Sequence, residues 1–95
     1  MPYYVYILSN ATNVTIYTGV RRDLIRRIYE HRSDAAPNSF TARYRVHKLV
    51  YFEELSEPYA AISREKQIKS WNRRRKNELV SGQNPKWEDL YPSLL

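Results

Sequence analysis

Tyr6 and Tyr17 stand eleven positions apart, and Arg27, His31 and Glu65 follow them at intervals that suit helices. The set offers two phenolic hydroxyls, a permanent cation, an imidazole and a carboxylate. Such groups can move a proton beside a phosphate and hold a hard cation. Tyr6 closes Tyr4-Val5-Tyr6, and Tyr17 opens Tyr17-Thr18-Gly19. Arg27 and His31 are four residues apart, so both project from one side of a helix, beside the stripe made by Leu24 and Ile28. Taken alone, His31 also suits a partly buried histidine near a helix C-terminus, where the dipole favours its cationic form.

Glu65 is the carboxylate of most interest. Ala61, Glu65, Ile68 and Asn72 follow i, i+4, i+7, i+11, which aligns the acid with apolar residues on an inward face. A carboxylate there needs a partner, because an unpaired buried charge is costly. Mg²⁺ would serve, since it is commonly held by one or two carboxylates, waters and substrate phosphate. Lys69, four residues on, offers the plainer alternative of an exposed helical ion pair worth about 0.2–0.5 kcal/mol.

These residues must be positioned by a small set of elements. Residues 3–9 and 14–20 are rich in aromatic and β-branched side chains, as strands are, and Asn10-Ala11-Thr12-Asn13 supplies a hairpin turn. Two tyrosines on one face of that hairpin would sit side by side. Asp23 is placed to cap a helix running to about Arg32, and residues 33–39 form the most loop-like stretch. Residues 46–54 predict a third strand, whose continuous apolar run marks it as the middle of the sheet. Ser56 is placed to cap a second helix with Pro58 in its first turn, reaching about Trp71. A further helix from Arg73 is expected to stop at Gly82, and residues 85–90 to form a last turn closed by Trp87. The expectation is an α+β fold in the order β-β-α-β-α-α, a small three-stranded antiparallel sheet flanked by helices, in a single domain over residues 1–95.

Composition narrows the partners. The chain has 95 residues, no cysteine and a net charge of +6, so a disulfide framework and a thiolate zinc site are both excluded. No apolar run approaches the ~20 residues of a membrane span, and the first residues lack the pattern of a signal peptide, so the expected location is the cytoplasm. Arg64, Lys66, Lys69, Arg73, Arg74, Arg75 and Lys76 crowd one stretch, and Arg21, Arg22, Arg26, Arg27 and Arg32 another. Phosphate is the ligand such groups favour, although charge runs are also ordinary solvated helix faces.

Taken together, the two tyrosine triplets, the arginine eight positions after Gly19, the histidine one turn on and the later glutamate resemble the GIY-YIG nuclease superfamily. The resemblance covers essentially the whole chain. It is nearest to the small free-standing bacterial single-domain members, of the UPF0213 kind. Leu49-Val50-Tyr51-Phe52-Glu53-Glu54, the run from Ala60 to Trp71, and Asn84-Pro85-Lys86-Trp87-Glu88-Asp89-Leu90 are similar to that subgroup's signature. The chain departs from the usual pattern at Tyr4, which stands in place of glycine, and at Thr18, which stands in place of isoleucine.

The resemblance implies a metal-dependent DNA endonuclease, structure-specific and linked to repair or recombination, with Mg²⁺ or Mn²⁺ as cofactor. It carries the metal-ligand role to Glu65 and the other catalytic roles to Tyr6, Tyr17, Arg27 and His31. Gly19 is expected beside the site, and Asn84 is a further candidate, with Asn77 behind it. Arg26, Lys69, Arg73, Arg74, Arg75 and Lys76 are expected to contact nucleic acid. A tyrosine of ordinary pKa near 10 is a poor base, so Tyr17 would need a neighbouring cation to stabilise its phenolate, with Tyr6 or His31 sharing the proton. DNA is the expected partner and RNA stays open. The expected state is a monomer or weak dimer away from membranes, with a protein partner as one route to substrate choice. The alternative is a non-catalytic nucleic-acid-binding module that keeps the nuclease fold.

Overall fold

In the computed structural model, residues 2–32 and 40–95 are described, apart from the side chains of His31 and Thr41. The expected loop over residues 33–39 lies outside that description. The elements are β1 (Tyr3–Ser9), β2 (Ile16–Arg21), α1 (Leu24–Arg32), α2 (Phe40–Arg43), β3 (Lys48–Leu55), α3 (Pro58–Ser70), α4 (Arg73–Gln83) and α5 (Tyr91–Leu94). The expected order holds, with two one-turn helices, α2 and α5, added to it.

The hairpin forms as its asparagines predict. Asn13 takes a left-handed backbone (φ 60), and the Asn10 side-chain oxygen accepts from the amides of Val14 and Thr15 at 2.9 and 3.1 Å. Both partners of β1 are antiparallel, and the strand order is β2-β1-β3. The middle strand is therefore β1, which corrects the expectation that residues 46–54 would lie there. Residues 5–9 of β1 are all at most 1% exposed, whichever face they point to. Burying each of Val5, Ile7 and Leu8 contributes about 1.5–3 kcal/mol.

The apolar run of β3 misleads because its free edge is covered by side chains and backbone from the C-terminal segment. Gln83 exchanges two hydrogen bonds with the Phe52 backbone, Asn84 donates to Val50 O at 3.0 Å, and the amide of Leu90 donates to Leu49 O at 2.8 Å. These groups stand in for a fourth strand and remove an open edge. A register shift between Ile7 and Leu8 adds a bulge in β3, so Val50 and Tyr51 pack on the same face.

The sheet separates two cores. Tyr6, Leu8, Leu24, Ile28, Val46 and Leu49 cluster on one face, with Leu24 and Ile28 coming from α1 as their spacing predicts. Val5, Ile7, Val50, Tyr51, Ala61, Ile68 and Val80 cluster on the other, where α3 and α4 cover the strands.

Helix ends differ from expectation in three places. The N-cap of α3 is Glu57, not Ser56, with Pro58 in the first turn. A residue before proline is driven to extended backbone, and that is the conformation an N-cap requires. Asn72 does not join an inward stripe but caps α4, accepting from the Arg75 amide at 2.9 Å. The α4 helix passes through Gly82 and ends at Gln83, because Gln83 and the Asn84 cap are both tied to β3. Residues 85–86 turn, as expected, but Trp87 takes a left-handed backbone (φ 52) and its indole donates to Ser81 Oγ.

Candidate active site

Tyr6 projects from the middle strand onto the face covered by α1, and Gly19 is its cross-strand partner. Tyr17, Gly19 and Arg21 alternate along β2 and so share that face. A Cβ built on Gly19 would lie 2.5 Å from the Tyr6 hydroxyl oxygen, 2.6 Å from Tyr6 Cζ and 3.0 Å from Tyr17 Cε2. Gly19 has no positive φ, so what the site requires of it is space for two rings. The Tyr6 and Tyr17 ring centroids are 6.4 Å apart at 45°.

Arg27 reaches these tyrosines from α1. Asp23 fixes the start of that helix by accepting from the Arg26 amide at 3.1 Å, and Leu24 and Ile28 seat it on the sheet. Arg27 Nε donates to the Tyr6 hydroxyl at 3.4 Å, a long hydrogen bond, and Tyr17 also acts electrostatically on its guanidinium. Glu30 lies 3.7 Å from the same guanidinium.

Burial pushes the Tyr6 hydroxyl pKa up from its ordinary value of 10.0, more than the Arg27 hydrogen bond pulls it down. Tyr6 is therefore a neutral hydroxyl at any physiological pH. Burial opposes the charge on Arg27, but the Tyr6 and Tyr17 hydroxyls outweigh it and raise its pKa further. A fixed cation thus sits between a neutral phenol and a second, partly exposed one. A cleft of about 410 Å³ opens beside it, lined by Arg21, Arg22, Asp23, Arg26, Arg27 and Glu30. Four guanidinium groups against two carboxylates favour an anion there.

Arg21 is a residue that site reasoning from the sequence omits. It lines the cleft, and its charge acts on the Tyr6 hydroxyl. Its signal is the period-two spacing Tyr17, Gly19, Arg21, which puts it on the tyrosine face.

The other candidates come from α1, α3 and the end of α4. His31 is a residue of α1, and its side chain lies outside the described residues. Glu65 comes from α3, on the opposite face of the sheet. Its side chain is 16% exposed and pairs with Lys69 at 3.4 Å, so it is an ion pair as the simpler alternative has it, but largely buried on the acid's side. A single carboxylate is a sparse donor set that suits Mg²⁺, which keeps most of its shell as water and phosphate. Among the described residues, no group of three or more His, Asp or Glu could hold a metal by itself. Asn84 is buried at the end of α4. It donates to Val50 O and Glu88 O at 3.0 and 2.8 Å and accepts from the Glu88 amide at 3.1 Å, bonds that brace the β3 edge.

The basic residues divide in the same way. Arg73 donates to the carbonyls of Val14 and Asn13 at 2.6 and 2.7 Å and to Asn77 Oδ1 at 2.7 Å, clamping the hairpin turn. This is where Asn77 finds its partner. Arg75 stacks on Trp71 with its guanidinium carbon 4.1 Å from the ring centroid. Arg64 is held by Glu53 at 2.6 Å, and Arg74 by Glu78 at 3.2 Å. Arg26 is exposed and paired with Glu30, Lys69 is half exposed, and Lys76 lies on α4.

The chain, with its three-stranded antiparallel sheet, is similar to several known proteins. A family model described as the GIY-YIG catalytic domain matches residues 2–78. A UPF0213 protein of Haloquadratum walsbyi is 38% identical over 78 residues, covering 82% of this chain and 85% of its own length. One from Syntrophus aciditrophicus is 37% identical over 82 residues, covering 86% and 92%. The solution NMR structure of a UPF0213 protein from Bacillus halodurans superposes with a TM-score of 0.60 at 31% identity, covering 94% and 93% of the two chains. The chain belongs to the GIY-YIG family, and within it to the UPF0213 group.

Proposed function

We propose that this protein is a divalent-metal-dependent endonuclease that hydrolyses phosphodiester bonds, with DNA as its substrate. The observation that carries this reading is Arg27, a fixed cation hydrogen-bonded to the hydroxyl of Tyr6, which is paired with Tyr17, at the edge of an arginine-lined cleft. A family whose model is a catalytic domain supports it.

A phosphodiester resists hydrolysis because water must approach an anion and expel a poor leaving group. Arg27 and the neighbouring arginines hold the phosphate and offset charge growing on its nonbridging oxygens. Tyr6, kept neutral by burial, donates a hydrogen bond and orients the group beside it. Tyr17 is the candidate for taking the proton of the attacking water, with the Arg27 N–H placed to meet negative charge on its oxygen. His31, four residues beyond Arg27 on the same helix, is the candidate relay.

Glu65 would hold a cation such as Mg²⁺ or Mn²⁺. Bound there, the ion would supply Lewis-acid polarisation of the phosphate and stabilisation of the departing oxygen. Among the described residues β2 is an edge strand, and α3 packs against it from the face opposite Tyr17.

The test is cleavage of labelled single-stranded, duplex, flapped and branched DNA, and of matching RNA, with Mg²⁺, Mn²⁺ or EDTA. Metal-dependent cleavage supports the proposal, and the preferred member of the panel defines the substrate. Binding without cleavage, indifferent to metal, supports a binding module instead.

A further inference from the structure

A second cleft, of about 520 Å³, lies between the β1–β2 turn and the segment entering β3. Asn10, Arg32, Tyr44, Arg45, Lys48 and Asp89 are among the residues that line it. Among the described residues, Asp89 is the one carboxylate on this lining. It is taken by Arg32 and by the amides of Leu49 and Tyr91. Among the described residues, no carboxylate pairs with Arg45 or Lys48. The Asn10 side-chain oxygen is engaged by Val14 and Thr15, and among the described residues its NH₂ has no acceptor.

The backbone of Arg45 is the second observation. It follows α2 with φ 53, its amide donating to Ala42 O at 3.3 Å. Helix ends of this kind favour glycine or asparagine, because a side chain strains the left-handed backbone. An arginine at such a position points to a use for its guanidinium. The cleft is also joined to the catalytic face by aromatic contacts: Tyr17 to Phe40 at 6.2 Å, and Phe40 to Tyr44 at 4.7 Å between centroids.

We propose that this cleft is a second nucleic-acid contact, in which Arg45 and Lys48 take backbone phosphates of the substrate to one side of the bond being cleaved. It rests on the proposed nuclease for the identity of its ligand, not for turnover. A binding surface that follows the strand away from the cut holds the register of the substrate without touching the reacting phosphate.

The test is the double variant Arg45→Gly and Lys48→Gln, measured with wild type by fluorescence anisotropy on a labelled DNA in EDTA across a salt series. Glycine relieves the left-handed backbone, so the variant's melting temperature should not fall through Arg45. The expected result is weaker binding and a log Kobs against log salt slope shallower by about 1.8, near 0.9 for each lost phosphate contact on duplex. With Mg²⁺, KM should rise while kcat holds. An unchanged slope and affinity, or a wild type that does not bind nucleic acid, overturns the proposal. A shallower slope in a protein that never cleaves would uphold the cleft and reject the nuclease. Cleavage with an unchanged slope would do the reverse.

Discussion

Tyr6 and Gly19 face each other across β1 and β2, and the Tyr6 hydroxyl oxygen lies 2.5 Å from where a Cβ on Gly19 would stand. Tyr6 is 1% exposed, so the ring cannot swing into solvent to make room. Gly19→Ala should therefore shift the ring and disturb its hydrogen bond with Arg27. The expected cost is about 1–3 kcal/mol in stability from overpacking, with a larger proportional loss of cleavage. Urea denaturation and cleavage rates on the same preparation check this, and equal activity would separate the ring's position from the chemistry.

The two tyrosines should respond differently to loss of their hydroxyls. Tyr17→Phe is expected to lower the cleavage rate by about 10²–10⁴, the range for a lost acid–base group, while leaving ring packing intact. Tyr6→Phe should cost less, because burial already holds that hydroxyl neutral. Single-turnover rates at saturating metal check the order, and the reverse order would exchange the two roles.

Arg73 is expected to act on stability more than on nucleic acid. Its guanidinium clamps the carbonyls of Asn13 and Val14, so Arg73→Ala should lower stability by about 1 kcal/mol, a value kept small because the group is exposed. That corresponds to about 4–8 °C in melting temperature for a domain of this size. Arg74→Ala, which removes only an exposed pair with Glu78, should leave the melting temperature nearly unchanged. Calorimetry of the two variants checks the contrast.

Tyr51 predicts a pH effect on the other face of the sheet. Burial, reinforced by Glu53, pushes its hydroxyl up to about 12 from 10.0, with Arg64 opposing. An unfolded chain would lose this proton from about pH 10 while the folded one keeps it, so stability falls between about pH 10 and pH 12. The loss is on the order of 2 kcal/mol. Tyr51→Phe lacks that component, so the stability gap between wild type and variant should shrink on going from about pH 9 to about pH 11.5. Urea midpoints at the two pH values check it, and a constant gap would contradict the assignment.

The sequence was informative wherever local chemistry decided the structure. Asn10 and Asn13 marked the turn, Asp23 the start of α1, and the Leu24 and Ile28 spacing its buried face, because each acts within a few residues of itself. It misled where a distant segment intervened. The apolar run of β3 resembles a central strand because Gln83, Asn84 and Leu90 cover its edge, and nothing near β3 announces them. Arg73 looked like one member of a basic run because its target, the hairpin turn, is about sixty residues away. Arg64 looked the same until Glu53, on a neighbouring strand, claimed it. Within the candidate site, Tyr6, Tyr17, Gly19 and Arg27 pack against one another. Asn84 is engaged in bracing β3 instead. The strand period that would have added Arg21 was present in the sequence from the outset.

Glu65 decides whether the site is a metal-dependent nuclease. The most direct measurement is the rate at which wild type and Glu65→Ala cleave a labelled DNA with Mg²⁺, with circular dichroism confirming that both fold. The account predicts cleavage by wild type that EDTA abolishes and a loss of at least about 100-fold in the variant, with DNA binding largely kept. Cleavage by the variant at the wild-type rate, or no cleavage by wild type with either Mg²⁺ or Mn²⁺, would contradict it.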